Sequence, residues 1–198
     1  DMVLSLNGFP LIVMELKNQF TNQNVYNAIK QFKEDRNPKE SMFEFNRRVL
    51  VYFAVDTDEV YMTTELKGKN TYFLPFNKGN NRGKGNPPVE GKEKTSYLWE
   101  EILTKDSLLD IVKRFYFIEK DGTKDRSAIF PRFHQLDAVR KIVSDLKINK
   151  AGKNYLIQHS AGSGKTNTIA WTAHRLSSLH DENNDAIFDS VIVVTDRK

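Results

Sequence analysis

The sequence contains no cysteine, which excludes a disulfide framework, a thiolate zinc site and cysteine nucleophilic chemistry. Histidine is scarce. The four, His134, His159, His174 and His180, do not fall at the i, i+4 spacing of a helical metal pair, so no dedicated zinc site is expected. Long apolar runs are missing as well: the longest are pieces such as Pro10–Met14 and Val191–Val194, against the roughly 18 to 20 residues that cross a bilayer. No membrane association is expected. The stretch Asp1–Gly8 lacks the basic region, apolar stretch and small-residue cleavage site of a secretory signal, and a cytoplasmic protein is expected. What remains is 198 residues, 39% hydrophobic and 28% charged, enough for one large folded domain or two small ones. Thirty Lys and Arg against 26 Asp and Glu give a net charge of +4, a weak preference for polyanions that leaves the partner open.

Residues 1–17 read as a hairpin. Met2–Leu6 and Phe9–Lys17 flank Asn7-Gly8, the dipeptide that best accepts the positive φ angles of a type I′ turn. From about Asn22 the period changes: Val25, Ala28, Ile29 and Phe32 form one apolar stripe, predicting a helix that ends at Asn37-Pro38. Arg48–Asp56 and Val60–Thr64, rich in β-branched and aromatic residues, predict a second hairpin around the acidic turn 56–59. The glycine-rich, basic stretch 77–94 reads as a solvated loop, and Tyr97–Leu103 and Ser107–Phe115 carry helical spacing. Seven polar or glycine residues, 120–126, mark the expected boundary between domains 1–120 and 121–198. Beyond it an amphipathic helix through Leu136–Leu146, a short strand at Asn154–His159, a helix over Thr166–His180 and a β-branched run at Val191–Thr195 predict a βαβ unit. Trp99, Trp171, Phe115 and Tyr116 are expected in the core, and His174 and His180 on a helix surface.

Two constellations carry chemistry. Ser160-Ala-Gly-Ser-Gly-Lys-Thr166, between an expected strand and an expected helix, supplies what a nucleoside triphosphate needs. Gly162 and Gly164, with Ser163 between them, let backbone N–H groups approach phosphates. Lys165 reaches the β- and γ-phosphates, and the Thr166 hydroxyl takes one Mg²⁺ position. The full pattern asks for glycine where His159 stands, a departure familiar in helicase-like ATPases. In the amino-terminal hairpin, Glu15 and Lys17 leave one face of a strand roughly 7 Å apart at Cβ. A register whose paired positions sum to fifteen sets Leu6 opposite Phe9 and brings Asp1 near Glu15. Two carboxylates and an ammonium at one end of a hairpin make a competent Mg²⁺ site for phosphodiester hydrolysis, with Asp1 and Glu15 as ligands, although Glu-Leu-Lys is common and by itself reads first as a solvated charged strand end.

Asp1–Asn18, followed by Phe130-Pro-Arg-Phe-His-Gln135, His159–Thr166 and Val194–Arg197, resembles the motor and nuclease (R) subunit of type I restriction enzymes in motif content and order. The resemblance implies an α/β architecture: a PD-(D/E)xK restriction-endonuclease-like domain, its N-terminus truncated, and then the beginning of a RecA-like P-loop domain. Asp1, Glu15 and Lys17 would be the nuclease triad, and Gln135 the adenine-reading Gln of superfamily 2 helicases. Asp196-Arg197 would open the next motif and face DNA. It further implies Mg²⁺ and ATP as cofactors, double-stranded DNA as substrate, and methylation (M) and specificity (S) subunits as partners. ATP-driven translocation would be coupled to Mg²⁺-dependent cleavage. The related nucleases often carry Gln-x-x-x-Tyr on the helix after the triad; here Ala28 and Phe32 hold that face, with Gln31 adjacent and Phe32 expected in the core. The chain stops before any Walker B motif, so it is expected to be a fragment with little ATPase of its own. The rival reading is a P-loop DNA repair helicase whose nuclease-like domain only binds or docks DNA.

Overall fold

The computed structural model describes residues 1–81 and 83–195, and the chain divides into two compact units, Asp1–Arg132 and Phe133–Lys198. The architecture is mixed α/β. In the first unit β1 (Met2–Leu6), β2 (Phe9–Leu16), β3 (Val51–Val55), β4 (Val60–Thr63) and β5 (Leu74–Pro75) form one sheet in that order. The β2–β3 pair is parallel and the others antiparallel. The crossover between β2 and β3 carries α1 (Val25–Glu34), so the expected order of strand, strand, helix, strand, strand is observed.

Asn7 and Gly8 both take positive φ, 50° and 83°, as the type I′ turn requires. The sum-of-fifteen register, however, holds only beside the turn, at Leu6↔Phe9 and Ser5↔Pro10. Between Leu4 and Ser5 it shifts, and Leu4, Val3 and Met2 pair with Ile12, Val13 and Met14. Leu11 is the extra residue, a β-bulge next to Pro10, which has no N–H to give the ladder. The Leu11 carbonyl instead accepts from Leu50 N at 2.8 Å.

The cap of α1 is built from side chains: Asn24 accepts from Tyr26 N, and Asn27 accepts from Asn24 N. Val25 N donates to Asp56 Oδ2 at 2.8 Å, which ties the helix start to the end of β3. The stripe Val25, Ala28 and Phe32 is buried as expected, with Phe32 against Tyr52 and Phe73, both at 5.7 Å between ring centroids. On the other face of the sheet Phe53 meets Phe76 and Phe130, at 5.3 and 5.9 Å. Covered on both faces and flanked on both edges, β3 is buried throughout.

Several expectations need correction. Segment 120–126 is the tip of a hairpin of β6 (Phe117–Asp121) and β7 (Lys124–Ile129), not a domain boundary. Thr64 Oγ1 donates to the Ala128 carbonyl at 2.7 Å and Phe130 enters the core, so the units divide after Arg132 rather than at 120. The stretch 77–94 has no helix or strand among its described residues, yet it is tied down. Buried Asn86 donates to Asp58 O and Asn77 Oδ1 and accepts from Lys78 N. Of the two helices expected after it, the first is a π-helical turn, Leu98–Ile102, and the second is α2 (Lys105–Arg114). Trp99 on that turn is 49% exposed instead of core, whereas Phe115 and Trp171 are buried.

In the second unit α3 (Phe133–Asn149) and α4 (Lys165–Leu176) pack together through residues such as Leu136, Val139 and Trp171. The strands expected at 154–159 and 191–195 do not form among the described residues. A strand needs a hydrogen-bonded neighbour, and here the apolar runs stay open, with Leu156, Ile192 and Val194 more than 80% exposed. The βαβ expectation is thus met only in its helix. His174 and His180 are exposed, as expected. Among the described residues no helix is long and apolar enough to cross a membrane.

Candidate functional site

The bulge decides where Asp1 goes. Residues directly opposite in an antiparallel pair share a face. An uninterrupted sum-of-fifteen register would set Asp1 opposite Met14, on the face away from Glu15. With Met2 opposite Met14, Asp1 comes level with Glu15 instead, on the face that α1 covers. Glu15 is only 1% exposed and both its oxygens are engaged: Oε1 accepts from Lys17 Nζ at 3.0 Å and Oε2 from Arg36 Nη2 at 2.9 Å. The same Arg36 Nη2 donates to Asp1 Oδ2 at 2.6 Å, so the two carboxylates lie within two hydrogen bonds of one another. Lys17 Nζ also donates to Gln31 Oε1 at 2.6 Å.

The structure therefore brings Asp1, Glu15 and Lys17 together and adds two residues that the sequence reading did not assign. Gln31 had a signal, one position from the apolar stripe of α1. Arg36 had none, because it lies in the bend past the end of the helix and only tertiary folding carries it to β2. Beside Lys17 opens a cavity of about 380 Å³, with Asn18, Thr21, Asp56, Thr95 and the half-exposed Trp99 among its walls. Asp56 is not a spare ligand: its oxygens accept from the backbone N–H groups of Val25, Asp58 and Glu59.

Among the described residues no cluster of three or more His, Asp or Glu side chains forms a metal cage. Two converging carboxylates are nevertheless a donor set that suits Mg²⁺, which binds through one or two carboxylates and leaves the remaining positions to water and substrate phosphate. That a single cationic nitrogen already touches one oxygen of each supports the fit.

The second constellation lies wholly in the second unit. Gly162 and Gly164 take positive φ, 71° and 78°, and Gly164 caps α4, which Lys165 and Thr166 open. A Cβ on Gly164 would stand 2.5 Å from Gln135 Nε2. Gln135 is buried, and its Nε2 donates to the carbonyls of Gly164 at 2.8 Å and Ser163 at 3.3 Å. His134 Nε2 lies 3.1 Å from the Ser163 carbonyl as a further donor. Gln135 thus meets the loop itself, a positioning contact that the sequence did not foretell. Lys165 Nζ donates to the carbonyls of His159 at 3.3 Å and Ser160 at 2.9 Å, folded over the loop it belongs to. Ser163 Oγ donates to the Ser160 carbonyl at 2.7 Å. The ring of His159 stands edge-on to that of His134 at 4.7 Å, and its pKa is held below the usual value by burial and then by the Lys165 charge. Thr166 is exposed in the first turn of α4. Asp196 and Arg197 lie outside the described residues.

Two family models match the chain. Residues 1–71 match the type I restriction enzyme R protein N terminus, and residues 134–198 match the SWI2/SNF2 ATPase. The resemblance to the R subunit of type I restriction enzymes, read from the motifs, is borne out.

Among curated proteins, the putative type I restriction enzyme MjaVIIIP endonuclease subunit of Methanocaldococcus jannaschii is 29% identical over 203 residues. That alignment takes in 100% of this chain and 18% of the relative. The type I restriction enzyme HindI endonuclease subunit of Haemophilus influenzae is 24% identical over 202 residues, with the same coverage of 100% and 18%. The chain thus spans less than a fifth of the length of these relatives. No solved structure matches it significantly.

Proposed function

We propose that this chain supplies two sites to a type I restriction endonuclease subunit: a Mg²⁺-dependent DNA-cleaving site at Asp1, Glu15 and Lys17, and the ATP phosphate loop of a DNA translocase at 160–166. The observation that carries the first is the convergence of the Asp1 and Glu15 carboxylates on one cationic nitrogen, with Lys17 bonded to the same Glu15. In this reading the first unit is a PD-(D/E)xK nuclease domain and the second the start of a RecA-like motor. The substrate is double-stranded DNA, and the partners are methylation and specificity subunits of a cytoplasmic complex.

Each side chain has a task that follows from its surroundings. Glu15 is buried and held from both sides, so its carboxylate is preorganised and loses little freedom when it acts as a ligand. Asp1, half exposed at the strand end, offers the second oxygen toward solvent, from where DNA must arrive. Lys17 is fixed between Glu15 and Gln31 and places a positive charge beside the scissile phosphate, where it orients the attacking water and offsets charge in the transition state. Mg²⁺, when bound, would supply Lewis-acid stabilisation and a water of lowered pKa.

In the phosphate loop Gly162, Ser163 and Gly164 present backbone N–H groups, and Gln135 keeps the loop's carbonyls turned inward. Lys165 exchanges the His159 and Ser160 carbonyls for β- and γ-phosphate oxygens, and the Thr166 hydroxyl serves the Mg²⁺ that accompanies ATP. The test is cleavage by the intact subunit in its complex: Lys17→Ala abolishes cutting. Unchanged cutting would transfer the hairpin to the rival, non-catalytic docking role. Lys165→Ala abolishes ATP turnover, and normal turnover contradicts the phosphate-loop role.

A further inference from the structure

Arg36 is the least expected member of the candidate nuclease site, and the manner of its binding is informative. Arginine usually meets carboxylates through two nitrogens in a planar fork. Here one nitrogen, Nη2, serves two carboxylates from the two arms of the hairpin, Asp1 just ahead of β1 at 2.6 Å and Glu15 on β2 at 2.9 Å, while the buried Nε has no partner. The guanidinium is acting as a point cation. It engages one oxygen of each of the two side chains that a divalent ion would need.

We propose that Arg36 is a built-in competitor of the divalent cation, which keeps the site closed until a DNA phosphate draws the guanidinium away. The inference rests on the nuclease reading given above and names a control within it. The charge count supports it. Asp1 and Glu15 against Lys17 and Arg36 make a formally neutral cluster, so a dication added with Arg36 in place leaves two uncompensated positive charges in a largely buried setting. If Arg36 releases the carboxylates and pairs with one backbone phosphate, the excess at the metal falls to one, and a second phosphate, the one at the metal, removes it. Arginine suits that exchange, since phosphate accepts its fork bidentately.

Local structure permits the movement. Arg36 lies beyond the last residue of α1, Glu34, and beyond the cap residue Asp35, in a bend ahead of Asn37-Pro38, so its side chain leaves without unwinding a helix. The unpartnered Nε means that the docked position leaves one donor unsatisfied. Lys17 is held separately by Gln31 and keeps its place when Arg36 goes. Metal and DNA binding thereby become thermodynamically linked: each favours the other because both require Arg36 to move.

The experiment is titration of the nucleotide-free intact subunit with Mn²⁺, followed by electron paramagnetic resonance, with and without a short DNA duplex. The Glu15→Gln subunit, treated identically, subtracts ions held by the DNA or elsewhere on the protein. In the wild type the Glu15-dependent site is expected to bind Mn²⁺ weakly alone and at least about tenfold more tightly with DNA. Arg36→Met, which keeps the apolar stem and loses the charge, is expected to bind at least about tenfold more tightly without DNA and to gain little from it. Arg36→Gln should behave the same way and serves if the methionine variant does not fold. Unchanged or weaker Mn²⁺ binding in a folded Arg36 variant, with Glu15→Gln still abolishing it, overturns the competitor role and leaves the metal site standing. No loss of Mn²⁺ in Glu15→Gln overturns the metal site itself.

Discussion

Met2 lies opposite Met14, one position further along β2 than the register beside the turn would place it. That offset comes from Leu11, and it sets Asp1 on the same face as Glu15. Deleting Leu11 restores the simple register and sends Asp1 to the other face. Most side chains of β1 are exposed whichever way they point, so the flip costs little stability. The expected result is a fall in DNA cleavage of at least about a hundredfold, because a displacement of even about an ångström from a working geometry can cost that much. Cleavage assays with a thermal melt as control check it, and near-normal cutting by the deletion would show that the bulge is irrelevant.

The Gln31 side chain reaches Lys17 through a 2.6 Å bond to the ammonium. Gln31→Leu removes a hydrogen bond to a charged group, worth about 1.5–3 kcal/mol, and leaves Lys17 tethered only to Glu15. Cleavage should drop by about ten- to a hundredfold with ATP turnover unchanged. Equal rates in wild type and variant would remove Gln31 from the site.

Gly164 is required twice, by its φ of 78° and by the 2.5 Å approach of Gln135 to the place of a Cβ. Gly164→Ala is expected to cost about 1–2 kcal/mol from backbone strain alone, and to reduce ATP turnover by displacing Gln135. Adding Gln135→Ala relieves the steric part and not the strain, so the double variant should melt closer to wild type than Gly164→Ala does while remaining slow. A Gly164→Ala subunit with wild-type melting and turnover contradicts this account.

His159 gives a pH dependence with a definite sign. Its pKa in the folded chain is lowered, first by burial and then by Lys165, so the unfolded chain binds a proton more readily. The stabilising contribution is complete above about pH 6.5, the unfolded value, and is lost as the pH falls toward the folded value. Melting temperature measured from pH 8 to pH 5 should therefore fall more steeply in the wild type than in His159→Gln. Parallel curves would show that the ring does not titrate differently on folding.

What the sequence made legible was local. Asn7-Gly8 announced its turn through φ alone, and the stripe Val25, Ala28, Phe32 announced a buried helix face. Glu15 and Lys17, two apart on a strand, had to share a face. The bulge at Leu11 was hidden because neither neighbour breaks the apolar run, and Pro10 was read as part of it. The hairpin at 117–129 was hidden because its tip is as polar as a linker; only the burial of Ala128 and Phe130 distinguishes it. Arg36 was invisible for a different reason. Its partners are 21 and 35 residues away, and no periodicity connects them. In the second unit the β-branched run 191–195 did signal strand chemistry, but a strand exists only with a neighbour to pair with.

The most direct measurement is DNA cleavage and ATP turnover by the assembled complex with Glu15→Gln. The account predicts that cutting disappears while ATP is still hydrolysed at close to the wild-type rate, because the buried carboxylate serves only the nuclease site. Cutting at the wild-type rate would contradict it.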